Sequence, residues 1–295
     1  MISARTAREL RLSRSTATLA LDVLGWVAIG YLVLYWLDLV AHLGANHYDA
    51  WTYWATDPLN PYRNSLLGAR GAYLYSPAWV QLMEPLRHLP FPVVYACWTA
   101  IYLLALGWLV GPLGAAAALL LMTTAQLNIA GGNVQLMTGI VLVIAMRYPA
   151  AWSYLLLTKI TPGVALLWFA LRREWRSLVI AIGVTAAIAA ASFVVAPQLW
   201  VEWLRTLGSN ASVEVAAPIL RVPLLPRLAV SAAIVAWGAW RNRPAALILA
   251  VVLAQPVVWA GAITMLLAAF RLTGWRPRWP WASLMPPPAT EPAPG

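Results

Sequence analysis

An aspartate, two arginines, a histidine and a cluster of aromatic residues fall together between Gly44 and Pro77, in a stretch that reads GANHYDAWTYWATDPLNPYRNSLLGARGAYLYSP and interrupts long apolar runs. Asp49 is its chemical centre. A carboxylate within reach of a sugar hydroxyl can take the proton as the oxygen attacks, which is general-base work. Arg63 and Arg70 offer forked donors suited to a phosphate. Lys159 joins them from a distant apolar run, where an ammonium is costly unless it is paired or faces water and so marks a site. Such a set suits a reaction in which a lipid-borne phosphate departs and a hydroxyl acceptor attacks. Preorganised cations would carry the developing charge, so the expectation is no metal and no cofactor. Trp51, Tyr53 and Trp54 would floor the site for a sugar or a polyprenyl chain, and His47 stands two residues before the base.

A second polar interruption, Asn128-Ile-Ala-Gly-Gly-Asn-Val-Gln135, lies between two short apolar runs, Leu113 to Leu127 and Val134 to Met146. Polar backbone at membrane depth survives only where protein buries it or a cavity hydrates it, so Asn133 and Gln135 are read as cavity-lining; the competing reading is a plain turn between tilted helices. Asp57 has a structural reading instead, because Thr56-Asp57-Pro58 has the form of a helix start.

The elements that must position these residues are membrane-grade. Of 295 residues 62% are hydrophobic and 10% charged, where a soluble domain has roughly a quarter charged. The expected fold class is all-α: a polytopic membrane protein with a bundle of about seven to nine transmembrane segments, and an external first loop carrying interfacial helices. Leu19 to Val40 has the length of a retained anchor. Val93 to Val110, Trp152 to Leu171 and Leu178 to Val195 read as further spans, and Ala245 to Phe270 as a proline-interrupted span or a hairpin. Residues 1–275 form a single integral membrane domain, and 276–295 a proline-rich tail that the composition makes disordered.

The net charge of +10 is arginine charge at span ends, with Lys159 the only lysine, so it orients the chain in the bilayer and does not signal nucleic acid. Arg5, Arg8, Arg11 and Arg14 place the N-terminus in the cytoplasm, which puts the Asp49 loop outside; Arg172, Arg173 and Arg176 mark a cytoplasmic turn. Counting both short runs at 113–146 as separate crossings would throw that turn outside, so they are read as one broken span. The three histidines lack metal-ligand spacing, and the single Cys97 excludes a disulfide framework. Most of the eighteen tryptophans read as interfacial anchors.

The order HYDAWTYW, LNPY, LYSP, GGNVQ, TKITP and RREWR, from about Tyr31 to Arg176, resembles glycosyltransferase family 87, the polyprenol-phosphate-mannose-dependent α-mannosyltransferases of the GT-C fold group. The resemblance implies an inverting, metal-independent hexosyltransferase of the cell membrane. It would move a sugar, usually mannose, from a polyprenyl-phosphate donor to a glycolipid or glycan acceptor on the outer face. Asp49 maps onto the family's base, Tyr75, Ser76 and Pro77 onto its Tyr-Ser-Pro element, Gly132, Asn133 and Gln135 onto the polar break, and Lys159 with Pro162 onto the lysine-proline span. Two other readings stand beside it. One is a transporter or flippase for a lipid-linked substrate, with Lys159 and the 128–135 break at its centre. The other is a shortened relative without catalysis.

Overall fold

A computed structural model describes residues 20, 23–25, 27–28, 30–31, 34, 48–63, 65–69, 71–110, 128–129, 131–211, 213 and 220–273. The expectations for the arginine-rich N-terminus, for most of Leu19 to Val40, for Leu113 to Leu127 and for the proline-rich tail lie outside these residues, as do His47 and Arg70. Among the described residues the chain is helical throughout, with no strand.

Among the described residues two helices are long and apolar enough to cross a membrane. To keep the site elements in chain order, α1 is Tyr48–Ala55, α2 is Pro77–Met83, α3 is Phe91–Val110, α4 is Gln135–Ala145, α5 is Trp152–Thr158, α6 is Leu167–Leu171, α7 is Trp175–Val195, α8 is Pro197–Asn210, α9 is Leu224–Arg241, α10 is Ala246–Leu253 and α11 is Ala269–Leu272. Helices α3 and α7 are the two candidate spans. At 21 residues α7 is about 31 Å long, one bilayer core. Val179, Ile182, Ile188, Val194 and Val195 stand exposed on it, as residues facing lipid would.

One predicted element differs in the structure. Trp152 to Leu171 is not one span: α5 ends at Thr158, Lys159 is extended (φ −150°, ψ 119°), and the chain resumes as a 3-10 helix, Thr161–Leu166, before α6. Pro162 is the cause, because its ring would clash with the carbonyl four residues back and it has no N–H to donate. Ala245 to Phe270 is interrupted at its proline as expected, into α10 and a 3-10 helix, Ala260–Ala268. The break between them is held by Arg227 of α9, which is buried and donates to the carbonyls of Val222 (2.8 Å), Leu253 (2.8 Å), Gln255 (2.6 Å) and Pro256 (2.8 Å). Those bonds satisfy helix-end carbonyls that would otherwise be orphaned. Thr56-Asp57-Pro58 opens turns and not a helix, but Asp57 is structural as expected, its Oδ1 accepting from the Leu59 N–H at 3.0 Å.

The main core runs through α4, α5, α6, α9, α10 and the Ala260–Ala268 segment, with Leu136, Leu142, Trp152, Phe169, Val235, Leu247 and Met265 buried in it. Gly139 lets α4 lie against that 3-10 segment, since a Cβ there would sit 3.3 Å from Met265 Cα. Short α4 and α5 form a hairpin. Asn133 precedes its first helix and Lys159 follows its second, so the hairpin returns the chain to the level from which it left. A separate aromatic cluster of Tyr53, Tyr73, Tyr75, Trp79 and Val134 caps this end.

Candidate active site

Asp49 lies in the first turn of α1, where a carboxylate also favours the helix dipole. It is partly buried, and its Oδ2 accepts a hydrogen bond from Asn133 Nδ2 at 2.6 Å. Asn133 belongs to a helix terminus with defined chemistry. The Gly132 N–H reaches Ile129 O at 3.3 Å and the Asn133 N–H reaches Asn128 O at 3.1 Å, with Gly132 left-handed at φ 67°. These are the paired bonds of a Schellman motif. The amide oxygen of Asn133 then accepts from the Gln135 N–H at 3.0 Å and opens α4. With Oδ1 engaged, the NH2 group faces the carboxylate.

Helix α3 braces the same break. Trp98 Nε1 donates to Gly132 O at 3.0 Å, and the Tyr102 hydroxyl donates to Asn133 O. Gly132 lies so close to α1 that an added Cβ would be 2.4 Å from Ala50 Cβ. Helix α1 and the polar break are thus fitted to each other.

Burial raises the Asp49 carboxyl above the ordinary carboxylate range, offset in part by the Asn133 hydrogen bond and by the charge of Lys159. Lys159 therefore stands near enough to act on Asp49 through its field. Its ammonium makes no hydrogen bond or ion pair among the described residues. Beside Asp49, the Tyr53 and Tyr75 hydroxyls are 2.8 Å apart. Burial, together with the nearby Asp49 charge, pushes both phenols far up, so they stay neutral. The Tyr75 segment is tied down as well: the Tyr62 hydroxyl donates to Tyr75 O at 2.9 Å and Trp203 Nε1 of α8 to Leu74 O at 3.1 Å.

The structure brings together Asp49, Asn133, Lys159, Tyr53 and Tyr75 from the residues singled out in the sequence. Trp51 packs on Phe91, ring centroids 4.9 Å apart, at the flank of α1. Gln135 is buried on another wall, its Oε1 2.6 Å from where a Gly261 Cβ would be. Arg63 is exposed in the turn after Pro61 and makes none of the contacts to Asp49. Trp98 and Tyr102 were not foreseen. Their signal was that they are two of the four polar-tipped rings on a largely apolar helix, spaced four residues apart.

Chemically, the arrangement is a carboxylate with a raised proton affinity, oriented by one amide, with a cation near it and neutral hydroxyls alongside. No group of three or more potential metal ligands occurs among the described residues. A family model described as Glycosyltransferase family 87 matches residues 73–285. No curated protein and no solved structure matches the chain. The matched region contains Tyr75, Asn133, Gln135 and Lys159 and begins after Asp49, whose place in the site rests on geometry.

Proposed function

The chain belongs to glycosyltransferase family 87, and from that premise we propose that it transfers a sugar, mannose by preference, from a polyprenyl-phosphate donor to a hydroxyl of a glycolipid or glycan acceptor. Asp49 is the general base. It takes the proton from the acceptor hydroxyl as that oxygen attacks the anomeric carbon, the bond to the phosphate oxygen breaks, and the configuration inverts. Lys159 receives the negative charge of the leaving polyprenyl phosphate, and Arg63 and Arg70 of the first loop add to the field that holds it. The enzyme is a multi-pass protein of the cell membrane, a GT-C-like bundle of about seven to nine spans over residues 1–275, with its N-terminus cytoplasmic and Asp49 on the outer face.

The observation that carries this reading is the Asp49–Asn133 hydrogen bond beside the Lys159 ammonium. It unites an acid from the first loop, an amide from the polar break and a cation from the lysine-proline element. Burial suits the acid to its role, because a carboxylate whose proton affinity is raised is a stronger base.

The test is transfer from a labelled polyprenyl-phosphate-mannose in membranes holding equal amounts of wild type or Asp49→Asn. Loss of the base should slow transfer about a hundredfold or more. Unchanged transfer would remove Asp49 from the mechanism, and wild-type protein inert with every polyprenyl-phosphate sugar offered would overturn the donor assignment.

A further inference from the structure

Helix α1 has two chemically different flanks. Asp49 and Tyr53, four residues apart, share the one turned to Asn133 and Tyr75. Trp54 faces elsewhere. It borders an open cleft of about 400 Å3 lined by Trp54, Ala55, Glu84, Arg87 and His88, the last three from the 3-10 helix Glu84–His88.

The indole of Trp54 is fixed. Nε1 donates to Leu89 O at 3.0 Å, and the ring lies against Trp51 and Phe91 at centroid distances of 4.9 and 5.5 Å. The ring is half-buried, so part of it remains as wall. Glu84, Arg87 and His88 surround it, and none of them makes a side-chain hydrogen bond or ion pair among the described residues. Glu84 and Arg87 are three apart on a 3-10 turn, where such side chains eclipse, yet they do not pair.

An anchored aromatic wall with a free carboxylate, guanidinium and imidazole matches one ligand chemistry well. The C–H face of a pyranose can lie on the indole, while its hydroxyls donate to the carboxylate and accept from the guanidinium and imidazole. The mixed charge disfavours the alternatives: Glu84 repels a phosphate, and the three polar groups are unsuited to a polyprenyl chain.

We infer that this cleft is a glycan subsite for the acceptor, which holds a neutral pyranose unit remote from the one that reacts. The assignment rests on the glycosyl-transfer reading above. Asp49 and Trp54 are about 7.5 Å apart along the α1 axis and about 140° apart around it, so the cleft would take a unit of an acceptor that passes around the helix, and not the unit beside the reacting hydroxyl. One short helix would then set both the reacting hydroxyl and a remoter unit, which gives the enzyme a means of choosing acceptor length.

The experiment is saturation-transfer NMR with the full chain in detergent micelles, using methyl α-mannopyranoside and methyl α-glucopyranoside as probes. Wild type and Asp49→Asn should both saturate the ring C–H protons of at least one glycoside. Trp54→Leu should abolish the signal and Trp54→Phe retain it, and the double change Glu84→Gln with Arg87→Gln should weaken binding about tenfold. Absence of saturation with both probes in wild type, or saturation unaltered by both Trp54→Leu and the double change, would overturn the subsite. Failure of the transfer reading looks different: glycoside binding at the cleft persists while Asp49→Asn leaves transfer intact.

Discussion

Asn133 is held at both ends of its amide, by Gln135 on the oxygen and Asp49 on the nitrogen. A donor on a carboxylate favours the ionised form, so its removal raises the proton affinity of Asp49 further. As the proposed base, Asp49 would act only when deprotonated. In Asn133→Ala the acidic limb of the pH–rate profile should therefore move to higher pH, with transfer roughly tenfold lower at a pH on that limb and less affected above it. Lys159→Met should move the limb the same way, since the Lys159 charge also favours the carboxylate. A uniform fall at every pH would show that Asn133 shapes the site without acting on the titrating group. At this scale the sequence revealed residue types and not partners. Asp49 and Asn133 both stood out as polar groups in apolar surroundings, but they are 84 positions apart and nothing local pairs them. Gln135 stood out for the same reason and went elsewhere, because Asn133 stands in the break before α4 while Gln135 is the first residue of that helix and is buried.

The polar break shows what an element adds to its residues. The run Gly131-Gly132 is legible as an interruption, and its left-handed Gly132 follows from the need to end one helix and begin another within a few residues. The close approach of α1 was not legible, since it depends on tertiary docking. The two glycines now separate these effects. Gly131→Ala meets nothing within 4 Å and should be tolerated. Gly132→Ala combines a positive φ with a Cβ 2.4 Å from Ala50, so it should cost about 1–3 kcal/mol and displace α1 from the break. Thermal unfolding in detergent would show a lower midpoint for Gly132→Ala alone, and its transfer rate should fall by more than the stability loss explains. Equal behaviour of the two variants would mean that α1 does not rest on the break during turnover. The divided Lys159 element gives the same lesson: Pro162 was visible, but apolar composition alone reads 152–171 as continuous, and only the extended backbone at Lys159 shows how the ammonium leaves the helix.

At the scale of the molecule, sidedness decides whether the proposed chemistry has access to its donor and acceptor. The structure divides α7 into two chemically distinct ends. At one, Arg172 and Arg173 precede the helix and Arg176 opens it, and Arg172 Nη1 donates to Ala239 O at 3.3 Å, which brings the Arg241–Arg243 turn to the same level. At the other, α8 follows immediately and reaches the Asp49 loop: Trp203 donates to Leu74 O, and Asn210 bonds both Ser65 O (2.7 Å) and the Leu67 N–H (2.6 Å). The basic residues and the Asp49 loop therefore lie toward opposite ends of α7, and the proposed orientation, with the loop outside, is the one the positive-inside rule favours. From Thr161 to Leu171 the chain spans at most about 20 Å as 3-10 and α-helix, some 10 Å less than α7. The lone cysteine makes the orientation testable. In a Cys97→Ser background, a membrane-impermeant maleimide applied to intact cells should label Leu59→Cys, which is 78% exposed in the loop, and should label Arg176→Cys only after lysis. The reverse pattern would turn the active site to the cytoplasm and require a donor presented there. Labelling of both before lysis would deny that α7 separates two compartments and would remove the membrane topology on which an outer-face transferase depends.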